Sequence, residues 1–355
     1  MLAELNAQVV SFDLFTGLIG HGPVVDLLRR DAVNAAHAYL FVGPDGVGKA
    51  VVARAFAGLL LCPEGGAHDV ACRSCRRIQT GNHPDLVMVE PEGRTSLGVD
   101  QARTMISQAS LVPVESARRV FLVEDAGMMT EQAANALLKT LEEPTASTVF
   151  LLVAESEDDF PPTVASRCRR VHLGRVLEDE LVAALEQRGL ESAEARVVAL
   201  VAGGRPGFAL SLATRPEVAD VRKAWLAVPE RVTGRPGEAF LLAEEILGLI
   251  EPVAADLAGD QPSSEAKERA RKRALHSLLA SGLEILASWY ADAASLQLGG
   301  PIRNRDLSLP SLTQIPPARA IENAGRVLDA VVDLAGNLRP LPLLASLFTA
   351  LGSEA

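Results

Sequence analysis

One glycine-rich stretch has the residue types and spacing of a phosphate-binding loop. It reads Gly43-Pro44-Asp45-Gly46-Val47-Gly48-Lys49-Ala50. An apolar run at 38–42 precedes it, and an Ala-, Val- and Leu-rich segment of helical character follows it. In such a loop the backbone N–H groups around the three glycines surround phosphate oxygens, and Lys49 adds a positive charge. The stretch therefore predicts a P-loop, the structure that binds the phosphates of ATP or ADP.

Two features of this predicted site bear on hydrolysis. Active P-loop enzymes carry a Ser or Thr after the lysine, whose hydroxyl binds Mg²⁺, but this chain has Ala50. They also need an acidic pair at the end of a buried strand, and here Glu124 and Asp125 follow an apolar run. An alternative is that these two carboxylates only end the strand in solvent. We expect a site that keeps the P-loop fold and turns nucleotide over poorly.

The cysteines indicate metal binding. The chain has four, and three of them, Cys62, Cys72 and Cys75, lie within 14 residues of one another. In a cytosolic chain such clustering favours a metal site over disulfides. The alternative is that the three thiols are free.

The elements that must position these residues alternate between short apolar runs and helical stretches. Runs at 38–42, 86–89, 120–123 and 148–153 are typical of buried strands, and helical segments separate them. This order predicts an α/β fold with a parallel sheet covered on both faces. Beyond residue 175 no strand is predicted. The expected domains are a P-loop domain at 1–174 with an insert at about 62–75, a helical lid at 175–216, and an all-α domain at 217–355.

Composition excludes some classes of function. The net charge of −11 argues against a surface-wide nucleic-acid binder, and an aromatic content of 4% argues against a stacking platform for single-stranded bases. The basic stretch at 267–273 has helical spacing, which favours a solvated helix face over a DNA contact. No apolar run approaches the roughly 20 residues that span a bilayer, and no signal peptide is recognisable. We expect a cytoplasmic protein.

Several motifs resemble one known family. They are His37-Ala38-Tyr39-Leu40-Phe41, Gly81-Asn82-His83-Pro84-Asp85, Val99-Asp100-Gln101-Ala102-Arg103, Ala134-Asn135-Ala136-Leu137-Leu138-Lys139-Thr140-Leu141-Glu142-Glu143-Pro144 and Ser166-Arg167-Cys168. On these motifs the chain resembles the clamp-loader subunits of bacterial DNA polymerase III, within the AAA+ superfamily, and among them the delta-prime family. The resemblance is dense over residues 10–175 and only compositional beyond about 215.

This resemblance implies a structural zinc module. The family module has four ligands, of which Cys62, Cys72 and Cys75 match three. The expected fourth cysteine falls at Asp69, with His68 beside it. Either side chain can bind zinc, and imidazole suits a site with three thiolates well. The fourth ligand therefore stays open between His68 and Asp69.

The resemblance also assigns roles around the nucleotide. Motor subunits carry Asp then Glu where this chain has Glu124 then Asp125, and a lid arginine where it has Gly207. In the family, the arginine that matches Arg167 reaches the ATP of a neighbouring subunit.

These matches imply a non-motor subunit with little ATPase activity of its own. Its implied partners are motor ATPase subunits and a delta subunit in a hetero-oligomeric ring, with a sliding clamp and primer–template DNA reached through the assembly. One alternative is an active motor subunit of the same loader. Another is an unrelated P-loop enzyme, such as a nucleotide kinase with a zinc-bearing lid, but that class does not explain the last two motifs.

Overall fold

The computed structural model describes residues 12–68, 71–89, 96–259, 264–304, 307, 309–335 and 339–353. Contacts between Cα atoms divide the chain into two compact units. The first comprises Met1–Leu177 with Arg205–Gly207, and the second comprises Glu178–Gly204 with Phe208–Ala355.

The first unit alternates strands and helices. In chain order its elements are β1 (Phe12–Asp13), α1 (Gly22–Ala32), β2 (Ala38–Val42), α2 (Lys49–Leu61), β3 (Ala67–His68), α3 (Arg73–Gln79), β4 (Leu86–Val89), α4 (Val99–Ala109), β5 (Arg119–Val123), α5 (Glu131–Glu142), β6 (Thr148–Ala154), α6 (Pro162–Ala165) and β7 (Arg169–His172). Short 3₁₀ turns follow β5 and β6, at Ala126–Met128 and Glu157–Asp159.

A parallel five-stranded sheet forms the centre of this unit, in the order β4-β5-β6-β2-β7. Strands β2, β5 and β6 are buried along their whole length, which explains why they appear in the sequence as continuous apolar runs. Successive side chains point to opposite faces. Leu40 thus joins the core under α4 and α5, whereas Tyr39 and Phe41 join the core under α1 and α2.

Three strands were not predicted from the sequence. Strand β7 lies at the sheet edge and carries exposed Arg169, Arg170 and His172, so it forms no apolar run. Strands β1 and β3 have two residues each and pair antiparallel, apart from the main sheet. Elements this short carry no periodicity that a sequence pattern could reveal.

The second unit is helical throughout its described residues. Its helices are α7 (Glu178–Glu186), α8 (Ser192–Ala202), α9 (Pro206–Leu212), α10 (Glu217–Arg231), α11 (Pro236–Ala258), α12 (Ser264–Gln297), α13 (Leu309–Leu312), α14 (Pro317–Ala335) and α15 (Pro340–Gly352), the first residues of α9 being grouped with the first unit. Trp225, Trp289, Tyr290 and Phe348 are buried in its core. Among the described residues, no helix has both the length and the apolar character needed to cross a membrane.

The predicted fold class is confirmed, with a parallel sheet between helices followed by a mostly helical remainder. The basic stretch at 267–273 lies within the long helix α12, as its helical spacing predicts. The division of the helical part at residue 216 into a lid and a C-terminal domain stays a prediction.

Candidate functional site

The P-loop connects β2 to α2 as predicted. Gly43, Gly46 and Gly48 all have positive φ angles, of 150°, 75° and 98°, which L side chains rarely adopt. Gly43 is further constrained, because a Cβ atom there would lie 2.0 Å from the carbonyl oxygen of Leu173. The glycines are therefore required by the turn itself, whatever the loop binds.

Lys49 is held inside the loop. Lys49 is the first residue of α2, and its Nζ donates hydrogen bonds to the carbonyl oxygens of Gly43 and Pro44, both at 2.7 Å. Burial lowers the pKa of Lys49, and the nearby carboxylates of Asp45 and Glu155 oppose that shift. The Lys49 amine predicted for this position thus lies at the loop, bound to two of its carbonyl oxygens.

Two further contacts join the loop to other parts of the first unit. Nε2 of His21 lies 2.9 Å from the carbonyl oxygen of Val47, and the N–H of Gly207 donates to the carbonyl oxygen of Gly46 at 3.0 Å. A Cβ atom at residue 207 would lie 3.2 Å from that oxygen. The position where motor subunits carry an arginine is therefore in backbone contact with the loop. His21 was not identified from the sequence, because nothing local marks it.

The acidic pair lies directly after β5, as predicted. Glu124 forms an ion pair with Arg54 of α2, with 2.5 Å between Oε1 and Nη2. The two residues are 70 positions apart, so the sequence pattern did not indicate this pair. Ala50 on the same helix provides no oxygen. The residues present do not reproduce the hydroxyl and free carboxylate that hold Mg²⁺ in active P-loop sites.

The cysteine cluster assembles around the end of α2. Cys62 follows α2, Cys72 caps the N-terminus of α3, and Cys75 lies within α3. Strand β3 brings His68 to the same place, and Asp69 lies outside the described residues. The ligand atoms of Cys62, His68, Cys72 and Cys75 all lie within 4.8 Å of one another.

The donor set fits a closed tetrahedral site. Nε2 of His68 lies 3.2 Å from Sγ of Cys62 and 3.3 Å from Sγ of Cys75, and the thiols of Cys62 and Cys72 are 3.9 Å apart. None of the four cysteines is in a disulfide. Three thiolates and one imidazole form a ligand set that structural zinc sites use. His68, one of the two candidates for the fourth ligand, therefore has its ring nitrogen close enough to the thiols to share a metal ion with them.

Arg167 lies at the end of the strands opposite the P-loop. It precedes β7 by two residues, and β7 runs parallel to β2, whose carboxyl end leads into the P-loop. A four-residue strand spans about 13 Å, so Arg167 and the chain's own P-loop lie at opposite ends of the strands. The guanidinium is about one-third exposed. It contacts Glu142 Oε1 at 2.6 Å and donates to the carbonyl oxygen of Thr163 at 2.7 Å.

The neighbouring residues of this motif have structural contacts. Arg169 pairs with Asp31 at 2.7 Å and Arg170 with Glu157 at 3.0 Å. Cys168 is buried, and burial raises the pKa of its thiol to about 11. Such a thiol is a small apolar side chain rather than a nucleophile.

The motif at residues 82–85 connects the start of β4 with the loop that precedes β5. Asp85 is fully buried and accepts hydrogen bonds from the backbone N–H groups of Val114, Glu115 and Ser116 at 2.6–2.9 Å. Burial by itself raises the pKa of this carboxyl group, but the three donors outweigh it and hold the pKa below its usual value. We therefore assign this motif a structural role.

Comparisons with known proteins agree on one family. A family model described as "DNA polymerase III, delta subunit" matches residues 23–176. The DNA polymerase III subunit delta' of Bacillus subtilis (strain 168) is 31% identical over 277 residues, which cover 77% of this chain and 75% of that protein. The subunit delta' of Escherichia coli (strain K12) is 37% identical over 180 residues, which cover 50% of this chain and 54% of that protein.

Other relatives are more distant or partial. The DNA polymerase III subunit tau of Bacillus subtilis (strain 168) is 31% identical over 208 residues, which cover 56% of this chain and 37% of that protein. Among solved structures, a DNA polymerase III gamma subunit-related protein from Thermotoga maritima aligns with 92% of this chain and 98% of that chain. Its sequence identity is 17% and the TM-score is 0.46.

Proposed function

Because this chain belongs to the family of DNA polymerase III delta-prime subunits, we propose that it is a non-motor subunit of a clamp loader. Its own nucleotide site is catalytically incomplete, and Arg167 completes the ATP site of a neighbouring subunit. The assembly places a sliding clamp on primed DNA with ATP that is hydrolysed by its motor subunits. The delta and motor subunits are its partners, and it meets the clamp and the primer–template DNA within that assembly.

The observation that carries this proposal is the state of the two positions that would hold Mg²⁺. Position 50 is alanine, and Glu124 is bound to Arg54. Lys49 and the loop glycines remain, so the loop keeps the groups that bind ATP or ADP phosphates. A site with these groups and without the metal ligands binds nucleotide and hydrolyses it poorly. The backbone contact of Gly207 supports the same reading, because a glycine at this position offers no guanidinium to a γ-phosphate.

The placement of Arg167 supports its action on another subunit. It lies at the end of the strands opposite the chain's own P-loop, with its guanidinium partly exposed. A planar guanidinium that is always charged suits a γ-phosphate, and arginines supplied by a neighbour stabilise transition-state charge in this way. The contacts with Glu142 and Thr163 hold it in a defined place before assembly.

We also propose that Cys62, His68, Cys72 and Cys75 hold a structural zinc ion. When bound, zinc adds a cross-link between the end of α2, β3 and α3. Four protein ligands leave no open position, so the ion has no catalytic part. The cluster residues thereby connect the segment between α2 and α3 to the end of α2.

The test is clamp- and DNA-stimulated ATPase activity of the reconstituted loader with variants of this subunit alone. Arg167→Ala lowers turnover at the neighbouring site by about 10³-fold, the lower end of what such arginines contribute. Lys49→Ala leaves turnover nearly unchanged, because this chain's site contributes little hydrolysis. Arg196→Ala, an exposed arginine of α8, serves as the matched control.

Two results contradict the proposal. If Lys49→Ala lowers turnover and Arg167→Ala does not, the chain is a motor subunit that hydrolyses its own ATP. If neither variant nor omission of the whole chain changes loader activity, the chain is not a loader component. Binding of each variant to the loader, measured by size exclusion, separates loss of catalysis from loss of assembly.

A further inference from the structure

The two ring nitrogens of His68 face different partners. Nε2 points to the thiols of Cys62 and Cys75, at 3.2 Å and 3.3 Å, whereas Nδ1 lies 3.0 Å from Oε2 of Glu64. A histidine that binds a metal uses the nitrogen without a proton, and the partner of the other nitrogen decides which one that is. The carboxylate therefore lies on the side of the ring away from the cluster.

We propose that Glu64 is a positioning residue of the metal cluster, which accepts a hydrogen bond from Nδ1–H of His68 and so presents the lone pair of Nε2 to the metal ion. Carboxylate partners of this kind fix the tautomer and the ring orientation of a metal-binding histidine and raise its basicity. The inference rests on the proposed metal site and specifies how a histidine serves as its fourth ligand.

The backbone between the two residues explains the placement. Gly65 and Gly66 have φ angles of 76° and 81°, so the chain reverses direction directly after Glu64. A Cβ atom on Gly66 would lie 2.8 Å from a methyl carbon of Leu14, which means that the turn packs closely on the segment after β1. The reversal returns His68 over Cys62 with Glu64 alongside.

The pairing of β3 with β1 also holds the ring of His68, through Phe12. Strand β3 pairs with β1 in a register that places His68 opposite Phe12, and the two rings stack with centroids 6.0 Å apart and an interplanar angle of 24°. The side chain of His68 is only 4% exposed, whereas that of Glu64 is 65% exposed. The pair thus joins a buried ring to a carboxylate at the surface, and loss of the carboxylate exchanges a charge-assisted hydrogen bond at Nδ1–H for one to water.

The experiment is a double-mutant cycle on zinc affinity of the full chain, measured by competition with a chromophoric chelator. Glu64→Ala is made in the wild-type chain and in a His68→Cys background. In the wild-type chain we expect Glu64→Ala to weaken zinc binding by about 10- to 100-fold, the range for partners of metal-binding histidines. In the His68→Cys background we expect no change, because a thiolate has no second nitrogen to orient.

Two further variants sharpen the cycle. Glu64→Gln keeps an oxygen that accepts from Nδ1 and retains part of the affinity, whereas Glu194→Ala, an exposed glutamate of α8, changes nothing. In the zinc-loaded wild-type chain, long-range ¹H–¹⁵N spectra show the proton on Nδ1 of His68 and the metal on Nε2. Circular dichroism of each variant confirms that it is folded.

Other outcomes overturn the inference. An equal loss of affinity in both backgrounds means that Glu64 only supports the loop. Unchanged affinity of Glu64→Ala in the wild-type chain, or coordination through Nδ1, removes its positioning role. If the wild-type chain binds no zinc, the metal site itself fails, and the clamp-loader proposal is untouched because its test does not involve the metal.

Discussion

The P-loop and the cysteine cluster both lack one expected side chain, but they differ in what replaces it. At the P-loop, Ala50 leaves no oxygen for Mg²⁺, and the nearby Glu124 pairs with Arg54 instead of compensating. At the cluster, the missing fourth cysteine is replaced by His68, whose Nε2 approaches two thiols. We infer that the Mg²⁺ ligands of the P-loop are incomplete, and we propose that the four side chains of the cluster form a complete set of zinc ligands.

This difference distinguishes side chains that the first unit needs for stability from side chains that it would need only for ATP hydrolysis. The proposed zinc ion would link α2, β3 and α3, so we expect loss of one of its ligands to lower stability. A P-loop needs only its glycines and its packing to keep the turn between β2 and α2, so loss of the Mg²⁺ ligand costs catalysis and no structure. We therefore expect changes at the cluster to affect stability, and changes at Ala50 to affect stability little.

The largest effect is expected from removal of zinc. An ion that binds only the folded chain stabilises it by about 2.7 kcal/mol when its free concentration is 100 times its Kd. Chelation should therefore lower the free energy of unfolding by about 3 kcal/mol, measured from the shift of the urea midpoint. In the Cys75→Ser variant the chelator should have no further effect. Equal urea midpoints with and without chelator in the wild-type chain would contradict a structural role.

A smaller effect on stability is expected at Asp85, the last residue of the motif at 81–85. Asp85→Asn removes the charge that three N–H groups bind, and should cost about 2 kcal/mol at pH 7, within the range for unpaired buried donors. The exposed Asp100→Asn, whose side chain is 92% accessible, is the control.

The pH dependence of this cost tests its cause. The pKa of Asp85 is lower in the folded chain than in the unfolded chain, so its carboxylate stabilises the fold at pH values above about 4. That contribution is lost as the pH falls below about 4 toward the folded pKa. The difference in unfolding free energy between wild type and Asp85→Asn should therefore shrink on acidification. A difference that stays constant down to pH 2 would show that shape, not charge, is responsible.

The smallest effect is expected from completing the P-loop motif. Ala50→Thr supplies the missing hydroxyl, but Glu124 remains paired with Arg54 and position 207 still has no arginine. Phosphate release by the isolated chain with saturating ATP and Mg²⁺ should therefore stay at background. A rise that disappears again in the Ala50→Thr/Lys49→Ala double variant would mean that one hydroxyl was all the site lacked, and the contrast with the cluster would fail.

The sequence was sufficient where the signal is local. Continuous apolar runs identified β2, β4, β5 and β6, because strands buried on both faces leave no polar positions. Glycine spacing and Lys49 identified the P-loop. Three of the four cluster residues followed from cysteine spacing and the family resemblance.

Other features could not be predicted because they join residues that are distant along the chain. The ion pair of Arg54 with Glu124 and that of Glu142 with Arg167 each depend on how helices pack against the sheet. Edge strand β7 was missed because its exposed arginines hide the strand pattern. Periodicity reports which face of an element is buried, and it carries no information on which partner lies opposite.

By itself, then, the sequence determined the P-loop fold, the absence of a metal-binding hydroxyl at Ala50 and the clustering of three thiols, since residue type and spacing suffice for each. The tertiary structure alone showed that His68 lies within reach of the three thiols. His68 and Asp69 are adjacent and equally plausible in the chain, and only the turn after Glu64 and the pairing of β3 with β1 direct the His68 ring into the cluster. The physical reason is that a metal site requires donor atoms within a few ångströms, and that proximity is created by packing.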